Sequence, residues 1–245
     1  MPSWPTCLRR LPLLLGAVLA CAILAPTPGR ASDIASFNAA IEAFAAHNRV
    51  ADGYLRTNMA ELAALQIDRM KTAWADITER FAADPPPELR ANPRFAATFT
   101  DVRQDIESAD RQMDTDVPAA RRALRDIRER LSELRRASGM AVLADCVLEA
   151  NGTYAALFAF DKTPPEWEKP DLANAANALL EITKRCDVLA DADTRQNPEF
   201  RRLIDGTRNG LAFIPKAIET KDRDLLRRVI DELRAFDNLL TFRYG

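Results

Sequence analysis

The sequence predicts an all-α protein made of two tandem up-down four-helix bundles related by internal duplication, and three observations carry that prediction. Ala, Leu, Arg and Glu dominate the chain while glycines number only 8 in 245 residues, a composition that favours helix. Beyond the first thirty residues, apolar positions recur at alternating steps of three and four, the mark of a helix with one buried stripe. The phrase "NPRF" at 92–95 returns as "NPEF" at 197–200, and the stripe around it returns too.

Ile67, Met70, Trp74, Ile77 and Phe81 precede the first phrase; Phe95, Phe99, Val102, Ile106, Ala109 and Met113 follow it. A displacement of about 105 positions turns these into Leu172, Ala175, Leu179, Ile182 and Cys186, then Phe200, Ile204, Thr207, Leu211, Ile214 and Ile218. One further residue of slip extends the match at both ends. Ile34, Phe37, Ile41, Phe44 and Ala51 meet Met140, Leu143, Val147, Ala150 and Leu157, while Leu124, Ile127 and Leu134 meet Ile230, Leu233 and Leu240. Self-similarity at one period is the signature of a duplicated unit. The units run 32–138 and 139–245.

Residues 1–31 stand apart. They contain no acid, carry Arg9 and Arg10, continue with "LPLLLGAVLACAILA" and leave through "PTPGRAS". This reads as a secretory signal peptide cut after Ala31, with a lipoprotein acylation site at Cys21 as the alternative. The apolar run from Leu11 to Ala25 is shorter than the roughly 20 residues a membrane span needs, so the expectation is a periplasmic protein with no integral membrane segment once the leader is removed.

The helices are then expected at 33–56, 64–83, 93–113 and 117–137, and again at 139–161, 170–190, 198–219 and 223–242. Proline-bearing connections divide them: "ADPPPELRANP", "TDVPA" and "DKTPPEWEKP", with "ASG" joining the units. Links this short imply antiparallel neighbours. The repeated phrase opens the third helix of each unit. Asn92 and Asn197 suit the N-cap, accepting from free amides of the first turn. Pro93 and Pro198 follow at the first helical position, where no amide hydrogen is needed, and Phe95 and Phe200 open the buried stripe. Pro215 falls inside the seventh helix and is expected to kink it.

Losing Arg9, Arg10 and Arg30 with the leader takes the net charge from −2 to about −5, which excludes nucleic acid and anionic membrane as main partners, since both ask for a basic surface. Cys146 and Cys186 remain, an even pair in an oxidising compartment. Counted from the hairpin near residue 165, each lies about 22–24 Å along its helix, so the two are level and predict a disulfide; two buried free thiols are the alternative.

The proline-then-phenylalanine opening of the third helix, with the runs "DVPAARRALRDIRERL" and "DRDLLRRVIDELRAFDNLLTFRY", resembles the cytochrome c′ family of periplasmic four-helix bundles. The resemblance implies the bundle without its haem. If Tyr244 takes the family's trailing aromatic position, the haem-attaching cysteines fall on Asp237 and Leu240 and the axial histidine on Thr241. In the first unit the same places hold Leu131, Leu134 and Arg135, and no C-x-x-C-H occurs anywhere.

Candidate functional residues are few. His47, the only histidine, is a weak candidate ligand and reads first as a hydrogen-bonded structural residue. Met59, Met70, Met113 and Met140 offer soft thioethers for copper, but without an M-x-M run they read as core filler. Alternating charges in "RRALRDIRERLSELRR" describe a solvated face. Tyr154, Phe158, Phe160 and Trp167 concentrate aromatics around the fifth helix and its loop, either lining an interhelical pocket or simply packing. No Ser-His-Asp set, phosphate loop or zinc spacing is present. The expected function is therefore non-enzymatic: a periplasmic accessory module for a small ligand or protein, without a cofactor. The alternative is a redox or metal-handling protein holding copper or noncovalent haem.

Overall fold

The computed structural model describes residues 29–163 and 165–245, and the regular structure among those residues is all α-helix. The expected leader lies outside the described residues up to position 28, as does Cys21; positions 29–31 belong to the first turn of α1. Two long helices come first, α1 (Gly29–Arg56) and α2 (Ala60–Phe81). A single turn, α3 (Pro87–Arg90), sits in the proline-rich connection and buries Leu89. Next come α4 (Phe95–Gln112) and α5 (Val117–Ala137), α6 (Leu143–Lys162) and α7 (Asp171–Leu189). The chain closes with short α8 (Ala192–Gln196), α9 (Pro198–Leu211), α10 (Ile214–Thr220) and α11 (Arg223–Tyr244).

Apolar burial divides at residues 141–142. Side chains from Ile34 to Met140 form one core cluster and those from Leu143 to Tyr244 form another. In the first, α1 packs on α2 and α5, and α4 packs on the same two; in the second, α6 packs on α7 and α11, and α9 on the same two. The halves meet where α1 touches α11 and α5 touches α6. Among the described residues no helix is long and apolar enough to cross a membrane.

The joint itself has a local cause. Gly139 takes φ +72°, the Gly139 amide donates to Arg136 O at 3.0 Å and the Met140 amide to Arg135 O at 2.9 Å. This Schellman closure ends α5 at a residue where a Cβ would be strained. Val142 is extended, so α6 begins at Leu143 rather than at the expected 139.

Three further expectations are corrected. The connections at 87–90 and 192–196 carry short helices that periodicity did not reveal, because a single turn has no stripe to read. The expected seventh helix, 198–219, is broken rather than kinked: α9 ends at Leu211 and α10 starts at Ile214. Pro215 has no N–H for the Leu211 carbonyl and its ring crowds that carbonyl. Finally, the two copies of the repeated phrase differ. Asn197 Oδ1 accepts from the Glu199 amide (2.8 Å) and the Phe200 amide (3.3 Å), with Pro198 at the first helical position. Asn92 Oδ1 accepts only from the Arg94 amide (2.9 Å), and residues 93–94 form a turn that delays α4 to Phe95. The Asn92 amide is drawn aside, donating to Leu134 O (3.3 Å) and Ser138 Oγ (3.1 Å) at the end of α5.

Candidate functional site

The site begins from one stripe on each of two neighbouring helices. Asn38, Ile41, Ala45 and Asn48 rise along one face of α1, and Arg128, Leu131 and Arg135 along the facing side of α5. Both stripes look toward the second half, whose Val142, Leu143 and Leu148 close one side while Tyr244 and Gly245 close another. Between them lies a cavity of about 330 Å³, within the lower range of small-molecule sites. It runs along the seam of the two halves.

Its polar groups are specific. Arg135, only 6% exposed, binds Asp145 through Nε to Oδ2 at 2.8 Å and through a second contact from Nη2 to Oδ1. That fork joins α5 to α6 and neutralises both charges where a lone buried ion would be costly. Asn48 donates to Leu124 O at 3.0 Å. Arg49 donates to Gly245 O at 2.7 Å and Glu42 Oε1 at 2.6 Å. Two buried atoms of the wall find no hydrogen-bond partner among the described residues: Asn38 Oδ1 and Arg128 Nη2. Burial pulls the Arg128 pKa below the usual guanidinium value, and Arg49 nearby adds like charge.

Arg128 also faces a smaller cleft of about 180 Å³, lined by Arg49, Arg56, Arg121 and Arg125. The carboxylate in that cleft, Asp52, is already held by Arg121 Nε at 2.7 Å. On the second half, Asn151 Nδ2 bridges Asp237 Oδ1 (2.7 Å) and Thr241 Oγ1 (2.6 Å). Burial pushes the Asp237 carboxyl up to about 6, although the Asn151 hydrogen bond and the Arg128 charge both pull it down.

Most residues singled out from sequence lie elsewhere. Cys146 and Cys186 are paired as a disulfide, Cα–Cα 5.4 Å, inside the second core. Tyr154 is buried with its hydroxyl 2.8 Å from Thr207 Oγ1, and its ring lies 5.7 Å from that of Phe158; Phe158 and Trp167 pack against the same core. Phe160 borders a polar hollow shared with Arg223 and Arg227. His47 Nδ1 is 2.9 Å from Gln66 Oε1. Met70 is fully buried, Met113 and Met140 pack on the first core, and Met59 is exposed. Among the described residues no group of three or more His, Cys, Asp or Glu side chains is placed to hold a metal.

Sequence reasoning missed Arg128 because it sits in a charge run that reads as a solvated face. The signal was present: in "RRALRDIRERLSELRR" both Arg128 and Arg135 fall one position after buried Ile127 and Leu134, at the edge of the apolar stripe. No protein-family model, curated protein or solved structure matches this chain.

Proposed function

We propose that the chain is a duplicated pair of four-helix bundles, exported to the periplasm, that acts without catalysis as a binding or accessory module whose ligand occupies the cavity at the seam. Several features support the duplication. Each half closes a ring of four mutually packed helices. Asp116 and Asp222, about 106 positions apart, cap corresponding helices through the same amide, that of Ala119 (2.9 Å) and of Leu225 (2.8 Å). The contact of α1 with α11 and of α5 with α6 is what a two-fold interface between copies gives, each unit offering the same face.

The cytochrome c′-like reading is kept only as a bundle without haem. At the positions that reading assigns to haem attachment, Leu240 is buried and Asp237 and Thr241 are tied to Asn151. These residues serve helix packing.

The observation that carries the binding role is the cavity itself: apolar walls from both halves with two buried, unpartnered polar atoms. A tightly packed protein leaves few such hollows. Titration with the neutral dye N-phenyl-1-naphthylamine tests it. One saturable site is expected, and Ala45→Phe or Ala144→Phe, each filling the cavity, should abolish it. Dye binding indifferent to both substitutions, or no binding at all, contradicts the reading. A Soret band or stoichiometric copper in the purified protein would instead make it a redox or metal-handling protein.

A further inference from the structure

We propose that the seam cavity takes a monoanionic ligand with an apolar body, its carboxylate or similar head resting on Arg128; this rests on the binding role above. The argument starts from a comparison of one arginine with its counterpart. Arg234 stands about 106 positions after Arg128 and is fully occupied. Its Nη2 donates to Asp161 Oδ2 at 3.2 Å, its Nη1 lies 3.7 Å from Asp231, and its guanidinium sits 5.1 Å from the centre of the Phe158 ring.

The same displacement places Leu55, Arg125 and Asp52 where the second half has Asp161, Asp231 and Phe158. Two carboxylates have become a leucine and an arginine, and the one carboxylate gained is committed to Arg121. Arg128 thus keeps its charge and leaves Nη2 buried with no acceptor among the described residues. An unmet buried donor is destabilising, more so when it is charged, and an incoming anion recovers that cost. Gly245 packs close beside this nitrogen, and a Cβ there would stand 2.7 Å from Arg128 Nη2.

The charge of the head follows from what is already paired. Arg135 is bonded to Asp145 and Arg49 to Glu42, whereas Asp52, Glu129 and Asp237 act on Arg128 through space and none of them bonds Nη2, so a single anionic head accepting at that nitrogen completes the wall. Ile41, Phe44, Ile127, Leu131 and Leu148 form the walls beside it, a surface that rewards an aliphatic or aromatic body and gives nothing to a second charge.

Displacement of the neutral dye from the full-length protein by octanoate, octanol and octylamine tests the assignment. Octanoate should bind at least tenfold more tightly than octanol, and octylamine should not compete. Arg128→Met should bring octanoate down to the octanol level while leaving octanol unchanged, Arg128→Lys should keep part of the preference, and Arg234→Met should change neither. Equal binding of octanoate and octanol, or an octanoate affinity untouched by Arg128→Met, overturns the anionic head yet leaves the cavity as a site. Failure of the dye itself to bind overturns both.

Discussion

On the duplicated arrangement proposed above, the two halves fill one helical frame with different chemistry. In the first, Phe37, Phe44, Trp74, Phe81, Phe95 and Phe99 form a chain of touching rings, successive centroids 4.7–6.4 Å apart. At the corresponding positions the second half carries Leu143, Ala150, Leu179, Cys186, Phe200 and Ile204. Only Phe200 keeps a ring, stacked edge-on against Tyr244 at 5.0 Å. The volume lost is compensated by a disulfide, by Tyr154 reaching Thr207, and by Phe236 lying over Gly206. The hydrophobic pattern fixes where helices go, whereas the choice between rings and a crosslink is local.

The largest expected effects separate the halves most sharply. Trp74→Ala removes a buried ring and its hydrogen bond to Phe99 O and should cost about 4 kcal/mol. Removing the disulfide through Cys146→Ser with Cys186→Ser, which opens a loop of 40 residues, should cost roughly 4 kcal/mol as well. Hydrogen exchange distinguishes them: the first change should strip protection from α1, α2 and α4 before α6 and α7, the second the reverse. Equal loss across both halves in either variant would show one cooperative core and break the comparison.

A middle-sized effect comes from Asp237, whose counterpart in the first half is Leu131. With its carboxyl raised to about 6 from the ordinary 3.8, the folded state holds the proton more tightly than the unfolded chain. Stability therefore falls as pH rises from about 4 to about 6 and stays lower above that, by no more than about 3 kcal/mol. Asp237→Asn should raise the melting temperature at pH 7.5 and leave it unchanged at pH 3.5. A gain of the same size at both values would place the cause outside the ionisation.

Gly206 and its counterpart Asp101 offer the smallest. An added Cβ would meet the Phe236 ring at 2.6 Å, and because that ring is only partly buried, Gly206→Ala should cost about 1 kcal/mol. Its counterpart Asp101 pairs with Arg130 at 3.1 Å, but Arg130 also holds Asp105 at 2.7 Å, so Asp101→Ala should cost under about 0.5 kcal/mol. Chemical denaturation of the two variants measures the difference.

How much of this was legible follows from what each residue's signal depends on. Ile67, Met70, Trp74 and Ile77 announce a buried stripe by spacing alone, and all four are buried; the level placement of Cys146 and Cys186 followed from helical rise. The start of α4 was not legible, because Asn92 divides its amide between a cap and the end of α5, a tertiary choice that four residues cannot encode. The cavity was less legible still. Arg128 and Arg135 look alike in sequence, yet Asp145 crosses the seam to meet one while Nη2 of the other is left without an acceptor among the described residues. Whether a buried charge is satisfied depends on the packing of distant segments.

The central claim is that the seam is the binding site, and amide chemical-shift mapping of the full-length protein during an octanoate titration tests it most directly. The account predicts saturable shifts concentrated at residues 38–48, 127–135 and 142–148, all with one dissociation constant. Shifts centred instead on the groove that Ala176, Leu180, Leu211, Ile214 and Pro215 line between α7 and α10, or scattered over both halves without saturation, would contradict it.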